Sequence, residues 1–456
     1  MIDLDSIADL SKGRIPSEIY VDPDLYQMEL ENVFGRTWLF LAHDSQLPKS
    51  GSFVQTYMGE DPVLVVRQRD GSVKAFLNQC THRGMRICRS EAGTAKAFTC
   101  SYHGWAYDIE GNLINVPGEK EAYHGEIDKS RWGAAKVPRM VNYKGFWFGC
   151  WSEDTPDFLE YLGDMAYYID ASVDRWDNGL EFVPGVTRWV IDANWKFAAE
   201  QFASDLYHTP ISHASAMVAL SEIPHASNAM PSPDLKDDLS RLESITYGMR
   251  GSQFTGNGHG TSSLWMPGFP TPMLGNDGPE YAQWLLDNRD EAIRRVGEDR
   301  LKKVTICHTV FPTFSWLTEP STMRVWHPRG PNQIEVWAWT YMPKDAPQKV
   351  KDEIRQAVQR TFSVAGVFET DDGENWTETQ RVLRGWKART TRFNSQMGLG
   401  HEEEDVNGLP GTTNAGFAET AAIGFYQRWS DLVRGLSWEE INKLDADRKA
   451  AKVASV

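Results

Sequence analysis

Apolar and polar positions divide this chain into three stretches of different period. Residues 24–34 carry the helical spacing, with Pro23 at the start, where its missing N–H leaves no helix bond unmade. From about Trp38 to Ser152 the pattern becomes short alternating strands. Val63-Leu64-Val65-Val66 turns at Asp70-Gly71 into 73–77, a hairpin signature, and a strand over 105–109 turns at Glu110-Gly111. Beyond Ser152 the elements mix. A strand is expected over 187–191 and a helix over 194–208. Residues 226–279, rich in Gly, Pro, Ser and Asn, read as long loops. A charged helix over 281–303 precedes a second hairpin, 323–327 with 334–342. Helices follow over 349–362, 368–385 and, as the terminal one, 418–436. The expectation is an α+β chain: a small all-β domain at 38–155, inserted between residues 1–37 and 156–456 of a larger domain whose antiparallel sheet is flanked by helices.

Composition narrows the class. The 456 residues, 41% of them hydrophobic, suffice for two or three domains, and the 18 Trp and 20 Phe imply aromatic-rich interiors. A net charge of −16 argues against nucleic-acid binding and suits attraction of a basic partner. Residues 1–10 are acidic and lack a positive segment leading into an apolar one, so no signal peptide is read there. No run of about 18 apolar residues suggests a membrane span. Of five cysteines, Cys88, Cys150 and Cys307 read as buried thiols of a reducing cytoplasm.

The other two belong to a spacing. Cys80-Thr81-His82 is followed, seventeen residues on, by Cys100-Ser101-Tyr102-His103. C-x-H with C-x-x-H is the donor set of a Rieske [2Fe–2S] cluster, two thiolates on one iron and two neutral imidazoles on the other. A structural zinc is the alternative, but zinc motifs usually keep like ligands together, as C-x-x-C with H-x₃₋₅-H. Here each half mixes a Cys with a His, which suits a cluster whose irons differ. Both halves run on into glycine, at Gly84 and Gly104, which leaves backbone room beside a sulfide. The cluster is expected at the tip of the all-β domain.

A second constellation lies on the helix expected from Asn194. Gln201, Asp205 and His208 stand at i, i+4 and i+7, one face, beside an apolar stripe of Trp195, Ala199, Phe202 and Leu206. His213 lies too far round for that face, but Pro210 breaks the helix between the two histidines and allows it to swing back. Two histidines and a carboxylate make the facial triad of an oxygen-activating iron. Asp372 shares a helical face with Phe368 and Trp376, so it is the better carboxylate, with Asp371 as its rival. An isolated His pair would read as core histidines; beside a redox cluster the iron site is preferred.

With both motifs in hand, the chain resembles the large (α) subunit of Rieske non-haem iron aromatic-ring-hydroxylating dioxygenases of the biphenyl, toluene and phenylpropionate type, from about Leu39 to the closing helix. The resemblance implies a terminal oxygenase that cis-dihydroxylates a hydrophobic aromatic ring with O₂. Cys80, His82, Cys100 and His103 would hold the cluster; His208, His213 and Asp372 would hold Fe(II). Asp205 would bridge a cluster histidine of one subunit to an iron histidine of its neighbour. Electrons would come from NADH through a reductase and a ferredoxin, and a small β subunit would complete an α3β3 hexamer. Gln201, Phe202, Met217, Cys307, Leu317, Phe362 and Phe368 are implied as pocket lining, with Gln201 replacing the asparagine of naphthalene-type members. The Gly-rich stretch 251–268 reads as an entrance lid or a surface loop. The rivals are a Rieske monooxygenase or demethylase and a pure electron carrier.

Overall fold

The computed structural model describes residues 3–216, 250–265, 278–304 and 306–454. The chain divides into two compact units, Phe34–Thr155 and a larger one made from both ends, Met1–Val33 with Pro156–Val456. Entry and exit of the inserted unit are tied together, Thr155 Oγ1 donating to Arg36 O at 2.9 Å.

The inserted unit is almost entirely β. Its strands are β1 (Leu39–His43), β2 (Ser52–Met58), β3 (Asp61–Arg67), β4 (Val73–Leu77), β5 (Ala92–Thr94), β6 (Ala97–Thr99), β7 (Ala106–Asp108), β8 (Leu113–Asn115), β9 (Arg139–Tyr143) and β10 (Phe146–Cys150). They form three antiparallel sheets, ordered β4-β3-β2-β5, β6-β7-β8 and β9-β10-β1. Phe53, Leu64, Val66, Phe76, Phe98 and Tyr107 fill the core, whose edge includes Cys80 and Cys100. Both expected hairpins form, with Arg67 opposite Val73 and Tyr107 opposite Leu113.

In the larger unit, helix α1 (Pro23–Glu29) is capped by the Asp22 carboxylate and continues as a π-helical turn over Leu30–Phe34. The sheet is antiparallel throughout. Strands β11 (Leu180–Phe182) and β12 (Thr187–Ile191) both pair with β18 (Ile334–Pro343). Between them in sequence runs a meander of β13 (Gly251–Gly256), β14 (His259–Leu264), β15 (Cys307–Val310), β16 (Phe314–Leu317) and β17 (Thr322–Pro328), closed by β18. Strands β19 (Glu403–Glu404) and β20 (Thr412–Ala415) extend the β13 edge. Helix α2 (Trp195–Ser204) packs across β14 and β15, with α5 (Thr420–Val433) beside it. Helices α3 (Gln348–Thr361) and α4 (Val367–Val382) carry the second half of the site, and α6 (Trp438–Ala454) closes the described chain.

Several expectations need correction. Residues 251–264 are buried strands rather than loop or lid; the rest of 226–279 falls largely outside the described residues. Their polar side chains mask the strand signal because they are spent on packing. Gln253, fully buried, donates to Ser204 O at 2.6 Å and accepts from Ala421 N at 2.7 Å, pinning α2 to α5. Strands β15 and β16 escaped the sequence reading because four-residue strands buried along nearly their whole length carry no alternation. The charged helix of 281–303 is three helices, broken at Asn288 and Gly297. The 418–436 helix is not terminal, since α6 follows it. No described helix is long and apolar enough to cross a membrane.

Candidate metal centres

Two loops of the same construction form the first centre. In one, Cys80 N donates to Met85 O (2.7 Å) and Gly84 N returns to Cys80 O (2.9 Å). In the other, Cys100 N donates to Trp105 O (2.8 Å) and Gly104 N returns to Cys100 O (3.0 Å). Gly84 and Gly104 both sit in the left-handed region, φ +74° and +76°, which closes each turn behind its cysteine. Both glycines serve the turn, and at Gly104 a Cβ would in addition meet Pro117 Cγ at 2.9 Å. The thiols are buried, His82 is half-buried and His103 is exposed, so the imidazole side faces outward.

The two imidazole rings lie 4.5 Å apart, and the Trp105 indole stacks on His82 at 5.0 Å. His82 Nδ1 is buried without a hydrogen-bond partner, an expensive state for a polar atom unless a ligand takes it. Tyr107 donates its hydroxyl to Cys80 Sγ at 3.3 Å. Burial, and then that thiol, push the phenol up to about 12. Two thiols, two imidazoles and an orphaned ring nitrogen fit a Rieske cluster.

The second centre is built by the end of a helix. Asn194 caps α2 by accepting from Lys196 N, and α2 stops at Ser204, short of the 194–208 expected. Asp205 is extended (φ −99°, ψ 92°), so Gln201, Asp205 and His208 do not share one helical face. The break positions the histidines in a different way. Asp205 Oδ1 accepts from His208 N (3.1 Å), and Pro210 starts a single turn, Thr209–Ser212, that returns His213 to His208. From α4, whose buried residues include Phe368, Glu369, Asp372 and Trp376, comes the carboxylate.

His208 Nε2, His213 Nε2 and Asp372 Oδ1 form a near-equilateral triangle: 3.2 Å between the imidazoles, 3.2 Å and 3.3 Å from each to the carboxylate. They are the one group of three or more potential metal ligands this close together among the described residues. Bonds of about 2.1 Å at right angles leave neighbouring ligands about 3 Å apart, so the triangle fits a facial triad. Asp371 points elsewhere, its Oδ2 3.1 Å from His213 Nδ1. Asp205 Oδ2 lies 3.2 Å from His208 Nδ1. Each imidazole therefore turns one nitrogen to the triad and has a carboxylate behind the other, the support usual at metal-ligating histidines.

Charge at the site is arranged for a cation. Burial alone would depress His208, but Asp205 and Asp372 outweigh it and hold the metal-free imidazole up at about 10. Burial would likewise raise Asp372; its hydrogen bonds to His208 and His213 instead hold it well below the ordinary carboxylate range.

Around the triad the expected lining residues separate. The Phe368 ring meets His213 edge-on at 4.8 Å, and Phe362 stacks on Phe368 at 5.2 Å. Phe202 packs against Trp326 at 5.1 Å. Cys307 and Leu317 are opposed in the β15–β16 ladder, and burial, then Asp372, raise the Cys307 thiol. Gln201 is bonded to Asp372 itself. Met217 lies outside the described residues.

Sequence reasoning missed the buried ion pair of Arg324 on β17 with Glu369 on α4, where the guanidinium also lies 4.9 Å from the Phe202 ring. A lone arginine inside the apolar run Met323-Arg324-Val325-Trp326 is the signal that points to it.

Residues 37–137 match the Rieske [2Fe-2S] domain family and residues 160–435 the family described as ring hydroxylating alpha subunit (catalytic domain). Biphenyl 2,3-dioxygenase subunit alpha of Rhodococcus jostii is 46% identical over 98% of this chain and 94% of its own. Benzene 1,2-dioxygenase subunit alpha of Pseudomonas putida is 46% identical over 96% and 95%. Among solved structures, naphthalene 1,2-dioxygenase with indole in its active site superposes with a TM-score of 0.84 at 34% identity, covering 94% of both chains.

Proposed function

The chain belongs to the ring-hydroxylating α-subunit family of Rieske oxygenases, and from that premise we propose that it is the large subunit of a terminal oxygenase that cis-dihydroxylates a hydrophobic arene of the benzene or biphenyl kind. The observation that carries this reading is the His208–His213–Asp372 triangle with aromatic rings against it, in a chain that also has a Rieske domain. When bound, the cluster supplies single electrons and the mononuclear iron activates O₂.

The chain's own residues do the rest. Cys80, Cys100, His82 and His103 hold the cluster, and His208, His213 and Asp372 hold the iron. Asp371 fixes the tautomer and tilt of His213 by accepting at Nδ1, and Asp205 steadies His208 by accepting from its backbone N–H and placing a carboxylate oxygen 3.2 Å from its Nδ1. The Asp205 side chain is 35% exposed in the single chain, which leaves it open to a cluster histidine of a neighbouring subunit. Phe362 and Phe368 offer flat apolar faces that suit an arene and exclude water. The partners are a small β subunit in an α3β3 assembly, a ferredoxin and an NADH-dependent reductase. The setting is the cytoplasm, in keeping with five unpaired cysteines.

The test is turnover of biphenyl, benzene and naphthalene by the purified α and β subunits with a surrogate ferredoxin and reductase under ¹⁸O₂. Two labelled oxygens in a cis-diol, with about three irons per α chain, are expected. One labelled oxygen would make the protein a monooxygenase, and about two irons without turnover would make it an electron carrier.

A further inference from the structure

Gln201 was expected to line the pocket, yet its carboxamide is occupied at both ends. Its Nε2 donates to Asp372 Oδ1 at 2.8 Å, and its Oε1 accepts from Trp376 Nε1 at 2.6 Å. The orientation of this amide follows from chemistry: an indole N–H only donates, so the atom facing Trp376 is the carbonyl oxygen and the NH₂ must face the carboxylate. Trp376 is itself held, edge-on to Trp326 at 5.5 Å. Trp326 Nε1 donates to Ser315 Oγ (2.8 Å), Ser315 shares a hydrogen bond with Thr309 Oγ1 (2.8 Å), and Thr309 donates to Ala199 O of α2 (2.9 Å). The series begins and ends on α2 and crosses the sheet between. Gln201, Trp376 and Asp372 are all buried.

The oxygen that Gln201 grips is the one nearest both imidazoles. We propose that Gln201, held by Trp376, is a positioning residue that sets which oxygen of Asp372 faces the metal site and stops the carboxylate from rotating about its Cβ–Cγ bond. The proposal rests on the reading of His208, His213 and Asp372 as the iron ligands and assigns that site an orienting pair. Asp371 and Asp205 orient the histidines; the Trp376–Gln201 pair does so for the third ligand. Gln201 reaches both partners because it spans from α2 to α4, and an asparagine, one methylene shorter, cannot touch both without a shift of backbone.

The experiment uses the full chain with its cluster in place, stripped of mononuclear iron and titrated anaerobically with Co²⁺, whose visible absorption reports ligand geometry. Gln201→Leu is expected to weaken Co²⁺ binding about 10- to 100-fold and to change the absorption bands. Trp376→Phe, which leaves Gln201 present but unheld, is expected to move both in the same direction by less. The double variant should be no worse than Gln201→Leu alone, because the two residues act through one bond. A Gln201→Leu protein, or a Trp376→Phe protein if the former does not fold, that binds Co²⁺ with wild-type affinity and spectrum overturns the proposal, even if its products change. A wild-type chain without a Co²⁺ signal overturns the iron-site reading and this proposal with it.

Discussion

The two metal centres of this chain are built on opposite principles. The proposed cluster ligands come from two near-identical turns within 24 residues, each closed by its own backbone and a left-handed glycine. The triad instead takes two side chains from beyond the broken end of α2 and the third from α4, more than 150 residues later. The first site is held by local hydrogen bonds and stays half-exposed. The second is held by packing across the fold, with the Phe368 ring edge-on to His213 and Trp376 both bonded to Gln201 and packed on Trp326. A centre that hands on electrons benefits from exposed imidazoles, whereas one that activates oxygen beside an apolar ring benefits from a dry enclosure. Local and non-local construction should therefore fail differently.

The largest effects are at the ligands. Asp372→Ala should lower iron from about three to about two per chain, abolish product and leave the cluster's visible spectrum intact. Cys100→Ser should do the reverse, losing the chromophore while the triad still binds Co²⁺. A single substitution that empties both centres would erase the distinction.

The enclosure comes next. Arg324 and Glu369 are both buried, so Arg324→Met alone leaves an unpaired buried carboxylate and should cost about 3–5 kcal/mol in thermal or denaturant unfolding. Arg324→Met with Glu369→Leu should recover most of that loss. Equal stability of the single and double variants would mean that the pair does not hold the walls of the site.

A smaller effect comes from Glu319, in the turn between β16 and β17 of the same unit. Burial raises its carboxyl to about 7, against the opposing pull of Arg175 and the Tyr281 hydroxyl. The folded state therefore keeps this proton longer than the unfolded one. Its contribution is fully present below pH 4.5, declines as pH rises to about 7, and is flat above. Glu319→Gln should remove about 1–3 kcal/mol of that decline, measured by urea unfolding at pH 5 and pH 8. An unchanged pH slope would show that the carboxyl is not held protonated.

The smallest effect is on the local site. Tyr107→Phe removes the hydroxyl donor to Cys80 Sγ, a bond worth about 1 kcal/mol. That is roughly 40 mV for one electron, so the cluster's midpoint should fall by about that amount while the triad is untouched. A rise, or no change, would show that the hydroxyl does not favour the reduced cluster.

What was legible in the sequence follows the same division. Cys80, His82, Cys100 and His103 could be read as a candidate ligand set because the spacing of a self-contained turn is written in consecutive residues. His208 and His213, astride Pro210, were visible as a pair for the same reason. The choice of Asp372 over Asp371 for the triad, the capture of Asp371 by His213, and the grip of Gln201 on Asp372 were decided by tertiary structure. Each depends on how α4 is rotated against α2, and that rotation is set by side chains distant in sequence: Trp376 on Trp326, and Glu369 on Arg324. The polar strand β13 was misread for a related reason. Gln253 looks like a loop residue until α2 and α5 arrive to use its amide, and burial of a polar group becomes tolerable only once its partners are in place.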